Sequence, residues 1–143
     1  KNTLIMSYTA KYSSSFYGPF RQAVGSSNNF GNKDKSSYQM DYGNSKEAIR
    51  EAELDISEGA DMIMVKPGLP YLDIISKLNQ KFDIPIFAYQ VSGEYSMIMN
   101  AINNGFLDRS AIVETLTSFK RAGCSGILTY FAPIVSKILN EDK

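Results

Sequence analysis

The sequence predicts an α/β fold built on a parallel sheet. Four short apolar runs alternate with segments whose apolar residues recur at helical spacing. The 143 residues are 43% hydrophobic and 21% charged, which is the composition of one globular domain. Strand and helix units in series imply right-handed crossovers, so the strands run parallel. Four such units fit half of a (β/α)8 barrel and equally fit a small open doubly wound sheet.

The predicted strands are apolar runs flanked by helical patterns rather than by hairpin turns. The first begins at residue 3, and each of the others has a helical pattern on one or both sides. They are TLIMSYTA (3–10), ADMIMVK (60–66), IPIFAYQV (84–91) and SGILTYFA (125–132).

Four helices are predicted between the strands, each with its own start or stop signal. Asn44, with Glu47 three places on, is the expected N-cap of the first helix, and Gly59 ends it. The others are expected over about 71–81, from after Gly93 to Gly105, and around Ile112, Leu116 and Phe119 up to Gly123.

A long polar segment follows the first strand, over about residues 13–40, and is rich in Ser, Asn, Gly and Lys. An insertion of this length inside a compact α/β unit is usually functional. We therefore predict a lid or binding loop here.

Composition argues against several classes of function. Fifteen basic and fifteen acidic residues give no net charge, so no general field attracts nucleic acid or an anionic membrane. No apolar run approaches the roughly 20 residues that span a bilayer, and no signal-peptide pattern opens the chain, which predicts a cytoplasmic protein. The chain has no histidine and one cysteine, Cys124, which argues against internal disulfides, thiolate zinc clusters and histidine-based triads. Because it begins at Lys1 and enters an apolar segment at once, we expect it to be part of a longer protein.

Chemistry is predicted at the carboxyl ends of the strands, where ligands gather in both architectures. Two of these ends carry lysines, Lys11 and Lys66. A lysine attacks a carbonyl only when neutral, and a second ammonium or an apolar wall lowers its pKa toward that state. Lys66 follows the apolar MIMV and precedes Pro67, which stops strand pairing, so its side chain is predicted at the rim of the core. The alternative is a solvated lysine at a loop start, and that alternative is stronger for Lys11.

Several other side chains could hold a carboxylate. Arg21, Lys33 and Lys35 could clamp one from the polar segment, although a basic solvated loop explains them equally well. Ser92 lies where a strand turns into a helix, so it could hold an anion or serve only as an N-cap. Tyr130 stands at the last strand end, where tyrosine most often packs with a satisfied hydroxyl.

The strings SYTAKYSSSFYGPFR, YQMD, EGADMIMVKPGLPYLDI, AYQVSGEY and KRAG with LTYFAP, in this order and spacing, together resemble the porphobilinogen synthase (5-aminolevulinate dehydratase) family. The resemblance covers essentially the whole chain and implies a (β/α)8 TIM barrel, of which the chain supplies about the last four βα units. Residues 1–143 would be the carboxyl-terminal half of one catalytic domain, with a lid over about 13–40. It also implies a lyase that condenses two 5-aminolevulinate molecules into porphobilinogen with loss of water, early in haem and tetrapyrrole synthesis.

By this resemblance, Lys66 forms the Schiff base with the substrate that becomes the propionate side of the product, and Lys11 forms a second one. Arg21 and the position of Lys35 belong to the lid that holds the carboxylate of the second substrate. Lys35 stands where the family usually has arginine, and a lysine ammonium does not make the bidentate contact of a guanidinium. The remaining implied substrate contacts are Ser92 and Tyr130 on the first carboxylate, and Tyr17, Gln39 and Tyr89 as lining residues.

The resemblance also implies a divalent metal and an oligomer. Glu51 matches a glutamate that holds an allosteric magnesium through its hydration shell at a subunit interface, and an exposed helical glutamate is the alternative. The N-terminal arm, the first half-barrel and the segment for a catalytic zinc or magnesium would lie upstream. A homo-octamer is expected for the full-length protein, with no nucleic acid or membrane partner. The half-barrel alone is expected to be inactive because its sheet edges are exposed. An inert association module completed by another copy and an aldolase-like lysine barrel remain as alternatives.

Overall fold

The computed structural model describes residues 3–25 and 38–141. Four parallel strands lie side by side in chain order, β1-β2-β3-β4. The strands are β1 Met6–Lys11, β2 Met62–Lys66, β3 Ile86–Gln90 and β4 Gly126–Thr129. The helices are α1 Gly18–Ala23, α2 Lys46–Ser57, α3 Leu72–Lys81, α4 Ser92–Asn103, α5 Ser110–Ala122 and α6 Ala132–Glu141. The four predicted strands and the four predicted helices are therefore confirmed.

The last predicted strand is too long, and the helix after it was not predicted. The Thr129 hydroxyl accepts a hydrogen bond from the Phe131 amide at 3.0 Å, which ends the strand in a turn. α6 begins at Ala132, inside the run that was predicted as strand. Likewise, the first strand begins at Met6 and not at residue 3.

The predicted lid is described over residues 13–25 and 38–40. A 3-10 turn at Ser15–Tyr17 leads into α1, a short helix that the polar composition did not predict. Lys33 and Lys35 lie outside the described residues.

The N-cap of α2 is Ser45 and not Asn44 as predicted, but the Asn44 side chain makes the capping bonds from one residue upstream. The Asn44 side-chain oxygen accepts hydrogen bonds from the amides of Lys46 and Glu47, and its side-chain amide donates to the Glu47 carboxylate at 2.8 Å. These bonds satisfy amides at the helix start that would otherwise lack partners.

The core lies between the sheet and the helices. Small strand residues on the helix side, such as Ala10, Val65 and Ala88, are completely buried and let α2 and α3 approach closely. Strand side chains alternate between the two faces, so the neighbouring residues Lys11, Lys66 and Tyr89 point to the opposite face. This alternation separates the packed face from the face that carries the chemistry. No helix among the described residues is long and apolar enough to cross a membrane.

Candidate active site

Lys66 occupies a half-buried position at the carboxyl end of β2, among aromatic rings. Its ammonium lies 4.2 Å from the ring centre of Tyr89, 5.3 Å from that of Tyr8 and 5.8 Å from that of Tyr17. Burial lowers the pKa of Lys66, and the positive charge of Lys11 lowers it further. Both effects increase the fraction of neutral amine near neutral pH, which is the form that attacks a carbonyl.

Lys11 is brought next to Lys66 by strand register. The two residues are directly paired across β1 and β2, so their side chains leave the sheet side by side on one face. The Lys11 ammonium lies 6.0 Å from the ring centre of Tyr38. The two lysines predicted from adjacent strand ends thus share one site.

The backbone at Lys66 and just after it is held in place by close packing and hydrogen bonds. A Cβ atom on Gly68 would lie 2.4 Å from Cε1 of Phe119 and 3.2 Å from the Tyr89 carbonyl oxygen. Gly68 is therefore required for lack of space, and its φ of −101° is open to other residues. The Lys66 carbonyl accepts hydrogen bonds from the Tyr12 amide at 2.9 Å and the Tyr17 hydroxyl at 3.2 Å, which fixes the backbone beneath the amine.

A small cavity on one side of Lys66 brings together the predicted carboxylate ligands Ser92 and Tyr130. It measures about 40 Å³ and is also lined by Tyr17 and Tyr89. Burial raises the pKa of Tyr89, and the adjacent Tyr130 hydroxyl raises it further, so the Tyr89 phenol stays a neutral hydrogen-bond donor. Ser92 is the first residue of α4 and not its N-cap, which is Val91.

A second cavity of about 120 Å³ on the other side of Lys66 contains Arg21, Gln39 and Lys11. The Arg21 guanidinium lies 5.3 Å from the centre of the Tyr17 ring, and Arg21 lines the same cavity as the two lysines. The Gln39 side-chain oxygen is buried without a hydrogen-bond partner among the described residues, so it can accept a donor from a bound molecule. The two cavities share Lys66 and Tyr17, and each adds polar groups of its own: Ser92 and Tyr130 in the first, Arg21 and Gln39 in the second.

Glu94 is a structural member of the site to which the sequence analysis assigned no role. The side chain is completely buried, and its carboxylate accepts hydrogen bonds from the amides of Leu69 and Val91 at 2.6 Å and of Gly68 at 3.3 Å. Burial raises the pKa of Glu94, and the three amide donors oppose that rise. Glu94 thereby joins the loop after Lys66 to the loop that carries Ser92.

The described residues do not form a metal site by themselves. They contain no group of three or more His, Cys, Asp or Glu side chains suited to a metal ion. Glu51 lies on α2 with its carboxylate 3.2 Å from the exposed guanidinium of Arg50. One carboxylate paired with an arginine is an incomplete donor set for magnesium, so we derive no chemical step through a metal.

Two larger clefts on the described surface lie away from the lysine pair. One, of about 560 Å³, is lined by residues such as Ser13, Tyr42 and Tyr71 and carries no amine. The other, of about 770 Å³, lies between α5 and α6, where the Lys120 ammonium donates to the carbonyls of Cys124 and Ser125. The volume of a cavity therefore does not identify the candidate active site, whereas the pair of lysines does.

Comparison with known proteins gives one consistent result. The family model described as delta-aminolevulinic acid dehydratase matches residues 1–138. A relative of that name from Rhodobacter capsulatus is 54% identical over 140 residues, which are 97% of this chain and 42% of the relative. Another, from Bradyrhizobium diazoefficiens, is 60% identical over 130 residues, which are 90% of this chain and 36% of the relative. The chain thus spans about 40% of the length of these relatives.

A solved structure has the same fold. It is the delta-aminolevulinic acid dehydratase (porphobilinogen synthase) of Toxoplasma gondii ME49 in complex with the reaction product porphobilinogen, and it matches with a TM-score of 0.94 and 51% identity. The match covers 99% of this chain and 40% of that one, in agreement with four units of a larger barrel. The chain belongs to the delta-aminolevulinic acid dehydratase family.

Proposed function

We propose that this chain is the Schiff-base half of a porphobilinogen synthase, a lyase that condenses two 5-aminolevulinate molecules into porphobilinogen. The observation that carries the proposal is the half-buried Lys66 directly beside Lys11, between two cavities lined by carboxylate-binding groups. The product named for the Toxoplasma relative agrees with this substrate. The rest of the barrel would come from the portion of the relatives outside the match, and we propose that the 143 residues alone are inactive.

The first chemical step is imine formation on Lys66. The neutral amine adds to the ketone carbon of 5-aminolevulinate, and the resulting carbinolamine loses water to leave a carbon–nitrogen double bond. The lowered pKa of Lys66 supplies the neutral amine, and the aromatic rings keep bulk water away from it. Lys11 performs the same reaction on the second substrate.

The two cavities separate the carboxylates of the two substrates. Ser92 and Tyr130 donate hydrogen bonds to the carboxylate of the molecule on Lys66, and Tyr89 lines the same cavity. Arg21 binds the carboxylate of the second molecule, with Lys35 as a further lid cation, while Tyr17 and Gln39 line that side. An aldolase-like enzyme would need neither the paired lysine nor the lid arginine, so the condensation explains more of these residues.

Metal and assembly belong to the same proposal. The family is generally metal-dependent. We propose that Glu51 contributes to a magnesium site completed through water by a neighbouring subunit of a cytoplasmic homo-octamer. Size-exclusion chromatography with and without magnesium tests this proposal. The size of the wild-type assembly should depend on magnesium, whereas the size of the E51A assembly should not.

A chimera provides the functional test, in which this chain replaces the matching segment of the Rhodobacter capsulatus relative. We expect it to form porphobilinogen from 5-aminolevulinate and to lose activity with K66M. The control is K77M, at an exposed lysine that pairs with Asp73 on α3. A folded chimera whose turnover survives K66M would overturn the assigned role.

A further inference from the structure

The segment from Ser15 to Ala23 rests on the first turn of α4 with almost no space between the two backbones. A Cβ atom at Gly93 would lie 2.4 Å from the Phe16 carbonyl oxygen and 2.7 Å from the Phe16 Cα atom. These neighbours are main-chain atoms, so any side chain at Gly93 must push the segment away. We call this contact, formed by Ser92 and Gly93, the lid seat.

The other half of the lid seat is a hydrogen bond. The Ser92 hydroxyl oxygen accepts from the Phe20 amide at 3.1 Å, across 72 positions of sequence. Phe20 immediately precedes Arg21 in α1, so this bond fixes the turn that carries the guanidinium. The segment is thus held at two points, Phe16 and Phe20, on either side of Tyr17.

Ser92 also lines the cavity next to Lys66. A serine hydroxyl has one hydrogen to donate as well as lone pairs that accept. The oxygen is occupied by the Phe20 amide, which leaves the hydrogen for a carboxylate in the cavity. A hydroxyl that donates to an anion becomes a stronger acceptor, so a carboxylate bound there strengthens the bond to the lid.

We infer that Ser92 and Gly93 are positioning residues that couple occupation of the Lys66 side of the site to the placement of Arg21 on the other side. This inference deepens the proposed function and rests on it. A carboxylate bound at Ser92 tightens the lid seat and holds Arg21 in place to bind the other carboxylate.

G93A separates the two halves of the site. Its methyl group displaces the segment that bears Arg21 but leaves Lys66 and the rings of Tyr8 and Tyr89 in place. In the chimera, we expect borohydride to trap the 5-aminolevulinate adduct on Lys66 to within about twofold of wild type. The apparent KM for porphobilinogen formation should rise about 10- to 100-fold, the effect of losing one charge-assisted carboxylate contact. The control is K77M, at the exposed Lys77 on α3, and both quantities should stay unchanged.

A second measurement does not depend on catalysis. In this chain, amide hydrogen exchange at Phe20 should become about tenfold faster in S92A, the effect of one lost hydrogen bond, and faster still in G93A. The Val24 amide, which bonds to the Phe20 carbonyl at 3.1 Å inside the helical turn, reports whether α1 itself survives in S92A.

The outcomes separate the two proposals. Unchanged Phe20 exchange in both variants overturns the lid seat, as does a G93A chimera with wild-type KM. Equal loss of adduct and turnover in G93A also overturns it, because the damage would then not be confined to the Arg21 side. If the unmutated chimera forms no adduct, the proposed function fails, while the exchange data still decide whether the lid seat exists.

Discussion

Replacing Glu94 by glutamine removes a buried negative charge without changing the shape of the side chain. Glutamine keeps one acceptor oxygen, which is best used by the Gly68 and Val91 amides that share one carboxylate oxygen. Its NH2 group then faces the Leu69 amide, which loses its acceptor. The perturbation therefore acts on the junction between the Lys66 and Ser92 loops.

The expected loss of stability follows from these contacts. An amide left without an acceptor costs about 2 kcal/mol, and two charge-assisted bonds that become neutral cost about 1 kcal/mol each. Burying a neutral amide in place of a carboxylate offsets about 1–2 kcal/mol of this. We expect E94Q to lower the free energy of unfolding by about 2–3 kcal/mol, a large part of the stability of an ordinary domain.

Urea denaturation measures this loss as a lower midpoint at unchanged slope. E114Q is the control, because Glu114 is exposed on α5 and its replacement should change stability by less than about 0.5 kcal/mol. If E94Q and E114Q unfold at the same urea concentration, the three amide contacts do not hold the two loops together.

Three further predictions concern single side chains. K11M should raise the pH midpoint for adduct formation on Lys66, because the loss of the neighbouring charge raises the Lys66 pKa, while burial keeps it below the ordinary lysine value. G123A should lower the free energy of unfolding by about 2 kcal/mol or more, because φ is +112° and the new Cβ would lie 2.4 Å from Cγ of Asn79. R21K in the chimera should raise the apparent KM for 5-aminolevulinate about tenfold, because lysine cannot make the bidentate contact.

Each of these changes has a matched control. K77M removes an exposed charge and should leave the pH midpoint unchanged, and an equal shift in K77M and K11M would contradict the role of Lys11. G59A adds a methyl group at a φ of +104° with nothing within 4 Å, so it should lower the free energy of unfolding less than G123A does, and an equal loss would contradict the contribution of the contact with Asn79. R121K alters an exposed arginine on α5 and should leave the KM unchanged. A KM as high as that of R21K would contradict the role of Arg21 in binding the carboxylate.

Strand ends were the part of the site that sequence could predict. An apolar run that stops at a lysine and a proline marks both the end of a buried strand and the residue at its rim, and Lys66 lies there. In a parallel sheet, consecutive strand ends meet at one edge, so Lys11 beside Lys66 follows from the order of the elements alone.

Contacts between distant segments were beyond sequence reasoning. A glutamate in the first turn of a helix is ordinary, and only the fold reveals that Glu94 also bonds to amides 25 and 26 positions away. Gly93 likewise reads as a helix-start glycine until Phe16 is found against it. α6 was missed because Pro133 follows an apolar strand and resembles a stop, although proline is well tolerated in the first turn of a helix.

Borohydride trapping tests the central claim most directly. The chimera would be incubated with 5-aminolevulinate, reduced, digested and mapped by mass spectrometry, since reduction fixes any imine as a stable adduct. We predict an adduct on Lys66 that disappears in K66M. A folded chimera that carries no adduct on Lys66 or Lys11 would contradict the Schiff-base mechanism and leave the paired lysines without a catalytic role.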